Sequence, residues 1–320
     1  RLRAEGIDVV VIDHHEPGPG GRPDCNAFVN PKSPAATEDY SYLCAAGVAF
    51  KLAHAMLKRR PLPEFDLRSL LELVALATIA DIVPLVGENR TLVRKGLRRL
   101  GDTVNPGLRA LQEIAGLNGH TTSMDVGFRL GPRINAAGRM DKPQDALETL
   151  LTDCRRLAAE LAGRLERHNK ERQNHEMQIR KEAASQLEEQ GFDPANDPVI
   201  ILGSRGWHPG VVGIVASRMM RRYHTPSFVI AIDDDGLGKG SGRSIAGVSL
   251  VEAINHETRE LTLRGPEGNS VTFVVSEEAQ NLDQVNVGDI VMTEYEQSMS
   301  IEVYADDGSA PAVGALSAEG

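Results

Sequence analysis

Asp13, His14 and His15 follow directly on four apolar residues in the stretch VVVIDHHEP. An acid and two imidazoles are the side chains of acid–base chemistry and of divalent-metal binding. In an open α/β sheet, ligands collect beyond the carboxyl ends of the strands. A polar triplet at the end of a β-branched run therefore stands where a site would be. Successive strand residues point to opposite faces, so a strand persisting through the triplet would give His14 and His15 different roles, one toward a metal and one toward a substrate. The plain alternative is a solvated cluster at a sheet edge.

Three further stretches carry candidate chemistry. ALATIADIVPL sets Asp81 in an otherwise apolar segment, where a buried carboxylate must be paired, hydrogen-bonded or metal-bound; a helix cap is the other reading. GPRINAAGRMDKP carries Arg133, Asn135 and Arg139 among small residues, which allow close backbone approach while the long side chains offer donors to a phosphate or a base. The competing reading is a glycine-punctuated turn with solvated arginines. Residues 198–225 hold Arg205, Arg218, Arg221 and Arg222 with no acid. Within them Gly206-Trp207-His208-Pro209-Gly210 precedes a helix whose N-terminus can receive an anion. Trp207 is either a stacking platform or, as a lone Trp more often is, core. GKGSGRSIAG adds Ser241 and Arg243 in a glycine-rich frame suited to a phosphate, or to a simple turn.

The elements that position these residues follow from periodicity. RLRAEG reads as a last helical turn, and IDVVVI as a strand buried on both faces of a parallel sheet. The chain thus reads as opening in the middle of an α/β domain. SYLCAAGVAFKLAHAMLKRR, LRSLLELVALATIADIVPL and, less regularly, 90–114 repeat apolar residues at helical spacing. Residues 153–190 form one long, charged amphipathic helix that connects two domains. PVIILG, GWHPGVVGIVASRMMRRYH and SFVIAID then read as strand, helix and strand. TRELTLRGPEGNSVTFVV is a hairpin pattern turning at Gly265–Gly268, and with VGDIVMTEY and SIEVYAD it predicts a small all-β module.

The expected architecture is α/β: a partial parallel-sheet domain over 1–152, a connecting helix over 153–190, and a second, incomplete α/β domain over 191–253. An acidic β module over 254–305 and a disordered tail over 306–320 complete it. Charge supports the late boundary. Residues 251–320 hold 14 acids against Arg259 and Arg264, a net charge of −12, whereas residues 1–250 hold 33 bases against 31 acids. The overall charge of −10 alone would speak against a nucleic-acid partner; its distribution removes that objection for the first 250 residues. No apolar run approaches the roughly 18 residues a membrane span needs. Cys25, Cys44 and Cys154 form no CxxC pair, which suits a reducing cytoplasm.

Taken in order, VVVIDHHEP, ATIADIVPL, GPRINAAGRM, GWHPGVVGIVASR and GSGRSI resemble the motifs of the RecJ-type single-strand-specific exonucleases of the DHH phosphoesterase superfamily. The resemblance covers about residues 1–253. It implies a two-metal hydrolase, using Mn²⁺ or Mg²⁺, that removes nucleotides from the 5′ end of single-stranded DNA in repair and recombination. Single-strand-binding protein and a helicase are the partners it implies. Carried over residue by residue, His14 and Asp81 match metal ligands, His15 the histidine facing the scissile phosphate, and Asp13 its support. Ser241 and Arg243 match the pocket for the terminal 5′-phosphate, and Asn135, Arg139 and His208 line the groove. The chain departs from the pattern twice. The family's earlier aspartates, which precede the DHH triplet, are not in it, and after SLVEAI a Gly-Gly-His segment gives way to NHETRELTLRG. The alternatives are a non-catalytic phosphate or single-strand binding module, and a DHH-type phosphodiesterase of short oligonucleotides or cyclic dinucleotides.

Overall fold

The computed structural model describes residues 2–17, 22–36, 39–140, 143–197 and 199–245, with Thr258 and the strand backbones at 251–255, 260–264, 270–274 and 294–298. A 3₁₀ turn, Leu2–Glu5, ends at Gly6 with φ +76°. Strand β1 (Val10–Ile12) follows and pairs in parallel with β2 (Ala27–Val29). The strand is present, but it is not buried on both faces: Val10 is 56% and Ile12 36% exposed. Among the described residues β1 has a neighbour on one edge only, so its β-branched run is covered less than its composition predicts.

Helices dominate the chain from Ala45 to Leu151. These are α1 (Ala45–Arg59), α2 (Leu71–Ala80), α3 (Gly87–Gly101) and α4 (Pro106–Ile114), then a short turn α5 (Ser123–Asp125) running through a π turn (Val126–Leu130) into α6 (Gly131–Met140), and α7 (Gln144–Leu151). Their apolar faces meet around Leu100, Leu108, Leu111, Leu130 and Leu165. Local chemistry sets the ends. Asn105 caps α4 by accepting the Leu108 N–H at 2.9 Å, with Pro106 supplying the preorganised first position.

Helices α2 and α3 pack closely. A Cβ on Gly96 would lie 2.1 Å from the Leu71 carbonyl oxygen and 2.5 Å from Ala75 Cβ. Both obstacles are on a neighbouring helix and cannot swing away. Gly96→Ala is expected to lower stability by about 1–3 kcal/mol, the scale of overpacking, despite alanine's better helix propensity. Urea unfolding checks this; a stabilised variant would show that the interface is looser than described.

Helix α8 (Arg155–Glu189) is 35 residues in one piece, about 52 Å at 1.5 Å per residue. Ala158, Ala162 and Leu165 belong to the first core, and Ile179, Ala183 and Leu187 to a second. Between them lies a polar waist. Arg172 donates to Glu176 at 2.9 Å and to Asn169 at 3.1 Å, and Arg218 reaches Glu176 at 2.5 Å.

The second core is a strand–helix–strand unit. β3 (Ile200–Arg205) and β4 (Ser227–Ile232) pair in parallel through helix α9 (Pro209–Tyr223), the crossover that parallel neighbours require. β5 (Leu237–Arg243) runs antiparallel on β4, Ser227 opposite Arg243. GKGSGR is thus a strand, neither a loop cradle nor a turn. A separate antiparallel sheet holds β6 (Val251–Asn255), β7 (Glu260–Arg264) and β8 (Ser270–Val274). The β7–β8 pairing follows the hairpin pattern, while its turn at 265–269 lies outside the described residues. The last strand, β9 (Glu294–Ser298), departs from the expected module: it pairs with β5, Ser241 opposite Glu294. The SIEVYAD segment and the tail lie outside the described residues.

Candidate active site and phosphate pocket

β1 stops at Ile12, so Asp13, His14 and His15 occupy a loop rather than a pleat. The alternation of a pleat therefore does not set the directions of the two histidines, and their ring centroids lie 4.4 Å apart. β2 anchors the loop. Asp13 N–H donates to the Val29 carbonyl at 3.0 Å, and the buried Asn30 amide donates to the His15 carbonyl at 2.9 Å. Asp13 is the hub. One carboxylate oxygen accepts the His14 N–H at 2.7 Å and the His15 N–H at 3.3 Å, and lies 2.7 Å from His15 Nδ1. Burial pushes the Asp13 carboxyl up, but these hydrogen bonds and the neighbouring imidazole outweigh it and hold its pKa below the ordinary aspartate value.

His14 turns the other way. Its Nε2 is 3.4 Å from Asp81 Oδ2. Asp81 is not buried, as the apolar context suggested; it is the C-terminal cap of α2, its side chain 42% exposed. The helix stops there because Ile82 adopts φ +58°, a conformation that costs a β-branched residue about 1–2 kcal/mol. One imidazole nitrogen and one carboxylate oxygen converging in this way fit a borderline divalent ion such as Mn²⁺. Among the described residues no third His, Cys, Asp or Glu joins them.

The second cluster is a basic pocket. Arg243, at the end of β5, donates from Nε to Ser217 Oγ at 3.1 Å, and from Nη1 to Ser241 Oγ at 2.6 Å and the Gly242 carbonyl at 2.7 Å. No carboxylate pairs with it among the described residues. The floor is Gly213 of α9, where a Cβ would press on Ser241 Oγ at 3.1 Å and on Arg243 Nη2 at 3.2 Å. Burial lowers the Arg243 pKa, and the charge of Arg139 lowers it further. A guanidinium within electrostatic reach of Arg139, flanked by two hydroxyls and with no carboxylate partner among the described residues, offers donors to an anion.

α6 joins the clusters. GPRINAAGRM is a helix, not a turn. Its first residue, Gly131, lies against Ala80 next to Asp81, with 3.5 Å between an added Cβ and Ala80 Cβ. Its far end meets α9: a Cβ on Gly210 would sit 2.1 Å from the Arg139 carbonyl, and Arg139 Nη1 donates to the Gly210 carbonyl at 3.3 Å. Asn135 and Arg139, four residues apart, share one face of α6 and are both exposed. The crowding protein on its inner side, then the charge of Arg172, lower the Arg139 pKa even though its outer surface stays open to solvent. Arg133 is committed elsewhere, to Glu166 at 2.7 Å and the Arg129 carbonyl at 2.6 Å.

His208 caps α9, its Nδ1 accepting the Gly210 N–H at 3.1 Å. The helix N-terminus is therefore already partly satisfied. Its ring lies 5.2 Å from that of His175 on α8. Burial lowers the His208 pKa, His175 lowers it further, and Glu171 opposes both. With the folded pKa below the unfolded one, the unfolded chain binds the extra proton first. The cap's contribution is complete above about pH 6.5 and is lost as pH falls through the folded pKa. His208→Asn keeps a cap that cannot titrate, so the variant should lose less stability than the parent between neutral and acidic pH. Parallel pH–stability curves would overturn this.

Trp207 is core: 4% exposed, with its Nε1 donating to Glu182 at 2.6 Å. Asn30, Ser217, Arg172 and His175 were not read from the sequence. Ser217 had a signal. It stands four residues after Gly213, on the same helical face, beneath Arg243.

Comparison with known proteins bears on the fold and the family. Residues 1–78 match the family model described as the DHH family, N-terminal domain. The single-stranded-DNA-specific exonuclease RecJ of Bacillus subtilis is 43% identical over 258 residues, which is 80% of this chain and 31% of that protein. The chain spans less than half the length of the curated relatives it matches, between 31% and 46%. A crystal structure of exonuclease RecJ bound to manganese is 37% identical with a TM-score of 0.66, over 86% of this chain and 67% of that one. RecJ from Thermus thermophilus in complex with Mn²⁺ is 34% identical with the same TM-score, over 86% and 40%. With the fold of a RecJ structure 37% identical to it, two thirds of which it covers, the chain belongs to the RecJ family of DHH proteins.

Proposed function

We propose that the chain acts in metal-dependent hydrolysis of single-stranded DNA from a 5′-phosphorylated end. The observation that carries this reading is α6, whose first residue abuts the neighbour of Asp81 and whose end sets Arg139 on Gly210 of α9, one turn from the Gly213 beneath Arg243. A helix of ten residues, about 15 Å long, thereby ties a metal-donor pair to an anion pocket. The RecJ relatives, exonucleases crystallised with manganese, support the substrate class and the ion.

His14 and Asp81 would hold the ion, with Mg²⁺ as the alternative to Mn²⁺. Such ions supply Lewis-acid stabilisation and an activated water, and two-ion sites clamp both oxygens of a displacement. The chain's own part is positioning. Asp13 accepts from His15 Nδ1, which fixes the ring and leaves Nε2 to face a phosphoryl oxygen. Arg243 and Ser241 take the terminal phosphate; Asn135 and Arg139 line the path between, and His208 shapes its wall as the cap of α9. Family resemblance alone supports single-strand-binding protein and a helicase as partners. The cytoplasm suits three free cysteines, and among the described residues no helix is long and apolar enough to cross a membrane.

One observation favours a second reading, binding without cleavage: only two donors converge among the described residues. Release of nucleotides from 5′-phosphorylated single strands, with and without Mn²⁺, separates the two. Metal-stimulated release supports hydrolysis; tight binding with no release at any metal concentration supports the binding module. Rates on dinucleotides tested alongside would expose a short-oligonucleotide enzyme, because that enzyme would prefer them to long strands.

A further inference from the structure

Away from the groove, a concentrated positive charge lies on α3. Its sequence GENRTLVRKGLRRLG turns Val93, Gly96 and Leu100 inward. Arg90, Arg94 and Arg98 recur every fourth residue along one exposed stripe, and Lys95 stands exposed beside them. The helix's single acid, Glu88, is bound to Lys51 at 2.8 Å. Arg99 is the one base here with acidic surroundings. Asp66, held low chiefly by its hydrogen bonds with Arg68, feels the Arg99 charge as well, and so does Glu72, whose pKa burial raises. Arg90, Arg94, Lys95 and Arg98 form no ion pair among the described residues. Like charges at i, i+4 oppose one another on a helix, and a cation near the first turn opposes the dipole. The stripe therefore works against its own helix unless an anion lies along it.

Its placement is informative. α3 begins six residues after Asp81, and the Arg90 N–H bonds back to the Val86 carbonyl at 3.4 Å. The Arg90 end of the stripe thus adjoins the loop carrying the candidate metal ligand, and the Arg98 end lies about 12 Å farther along the helix axis. No large hydrophobic side chain is exposed between Gly87 and Gly101, whereas a protein partner would need an apolar centre there. Evenly spaced bases, with exposed apolar side chains only at the N-terminal flank (Leu85 and Val86) and none along the helix, suit a polyanion backbone.

We infer that the exposed face of α3 binds the phosphate backbone of the nucleic-acid strand beyond the part held in the groove. This rests on the groove being a single-strand site, and strand length tells the two apart. The probes are 5′-phosphorylated oligothymidylates of about 6 and about 20 nucleotides, spanning the usual range of single-strand sites. Binding is followed by fluorescence anisotropy across a salt series, with a chelator present to prevent cleavage. Arg94→Gln/Lys95→Gln/Arg98→Gln removes three surface charges without touching the core, and thermal melting confirms that the fold is kept.

The triple variant should bind the long strand about tenfold more weakly at low salt. The slope of log affinity against log salt should shrink by about 2, given about 0.7 per phosphate contact. The short strand should change by less than about twofold. An unchanged slope on the long strand overturns the inference, as does equal loss on both lengths. Weakened binding of a polyglutamate peptide with DNA binding intact also overturns it, by making the face a dock for an acidic protein segment. Failure of the groove reading looks different: the short strand then shows no preference for a 5′-phosphate, while the slope on the long strand still decides α3.

Discussion

His14→Ala is expected to abolish the Mn²⁺-dependent nucleotide release proposed for this chain on 5′-phosphorylated single-stranded DNA, with a fall of at least about a thousandfold. The size follows from what the residue does. An ion that stabilises charge on a phosphodiester contributes several kcal/mol, and about 4 kcal/mol is three decades in rate. His14 brings one of only two donors that converge among the described residues, 3.4 Å from Asp81 Oδ2, so its loss leaves a lone carboxylate that is 42% exposed. Asp13→Asn separates holding from orienting. An amide oxygen still accepts the backbone N–H groups of His14 and His15, so the loop survives, but the charge that fixes His15 is gone. Loss of such a supporting partner costs about 10- to 100-fold. Calorimetric titration with Mn²⁺ supplies the second readout: His14→Ala should lose ion binding, and Asp13→Asn should keep most of it. A His14→Ala protein that cleaves at the parent's rate would remove the residue from the chemistry.

Arg243→Ala should erase the preference for a 5′-phosphorylated end. A hydrogen bond to a charged group contributes about 1.5–3 kcal/mol, so the affinity ratio of phosphorylated to unphosphorylated strands should drop by roughly 10- to 150-fold. The guanidinium is held by Ser217 Oγ, Ser241 Oγ and the Gly242 carbonyl, which spend three of its bonds on orientation and leave Nη2 over Gly213. Lysine restores the charge without the fork, so Arg243→Lys should recover only part of the ratio. Ser217→Ala should shift it less than Arg243→Ala, since it loosens the guanidinium without removing it. Unphosphorylated strands serve as the control: an equal loss on both ends would show a general backbone contact instead of an end-specific pocket.

Much of this arrangement was legible in the chain. A β-branched run marked β1, charge at helical spacing marked α8 almost to its ends, and a strand–helix–strand pattern marked β3, α9 and β4. Motif order marked the residues proposed for both clusters. What stayed hidden shares a cause, that pattern reports type and not partner. Arg133 and Arg139 look alike in GPRINAAGRM, and only the fold shows that one is tied to Glu166 while the other reaches the Gly210 carbonyl of α9. The same stretch reads as a turn because Gly, Pro and Asn are weak helix formers; packing of α6 on α8 and α9 overrides that preference. Asp81 looked buried because its neighbours are apolar. The helix ends at it, however, and Ile82, 88% exposed, shows that an apolar letter need not mean an interior position.

Helix α8 contributes to two cores on either side of a waist formed by Asn169, Arg172 and Glu176. That sharing makes its length a matter of phase. One residue inserted at the waist would turn everything beyond it by about 100° and carry it about 1.5 Å along the axis. Ile179, Ala183 and Leu187 would then face away from the sheet they now cover, or else the sheet would swing round with them and take Arg243 out of electrostatic reach of Arg139. Neither substitution nor a better-packed core can undo a rotation of that size. The count of residues between Leu165 and Ile179 is accordingly as much a part of the groove as any side chain within it, and this segment should tolerate changes of letter far better than changes of number.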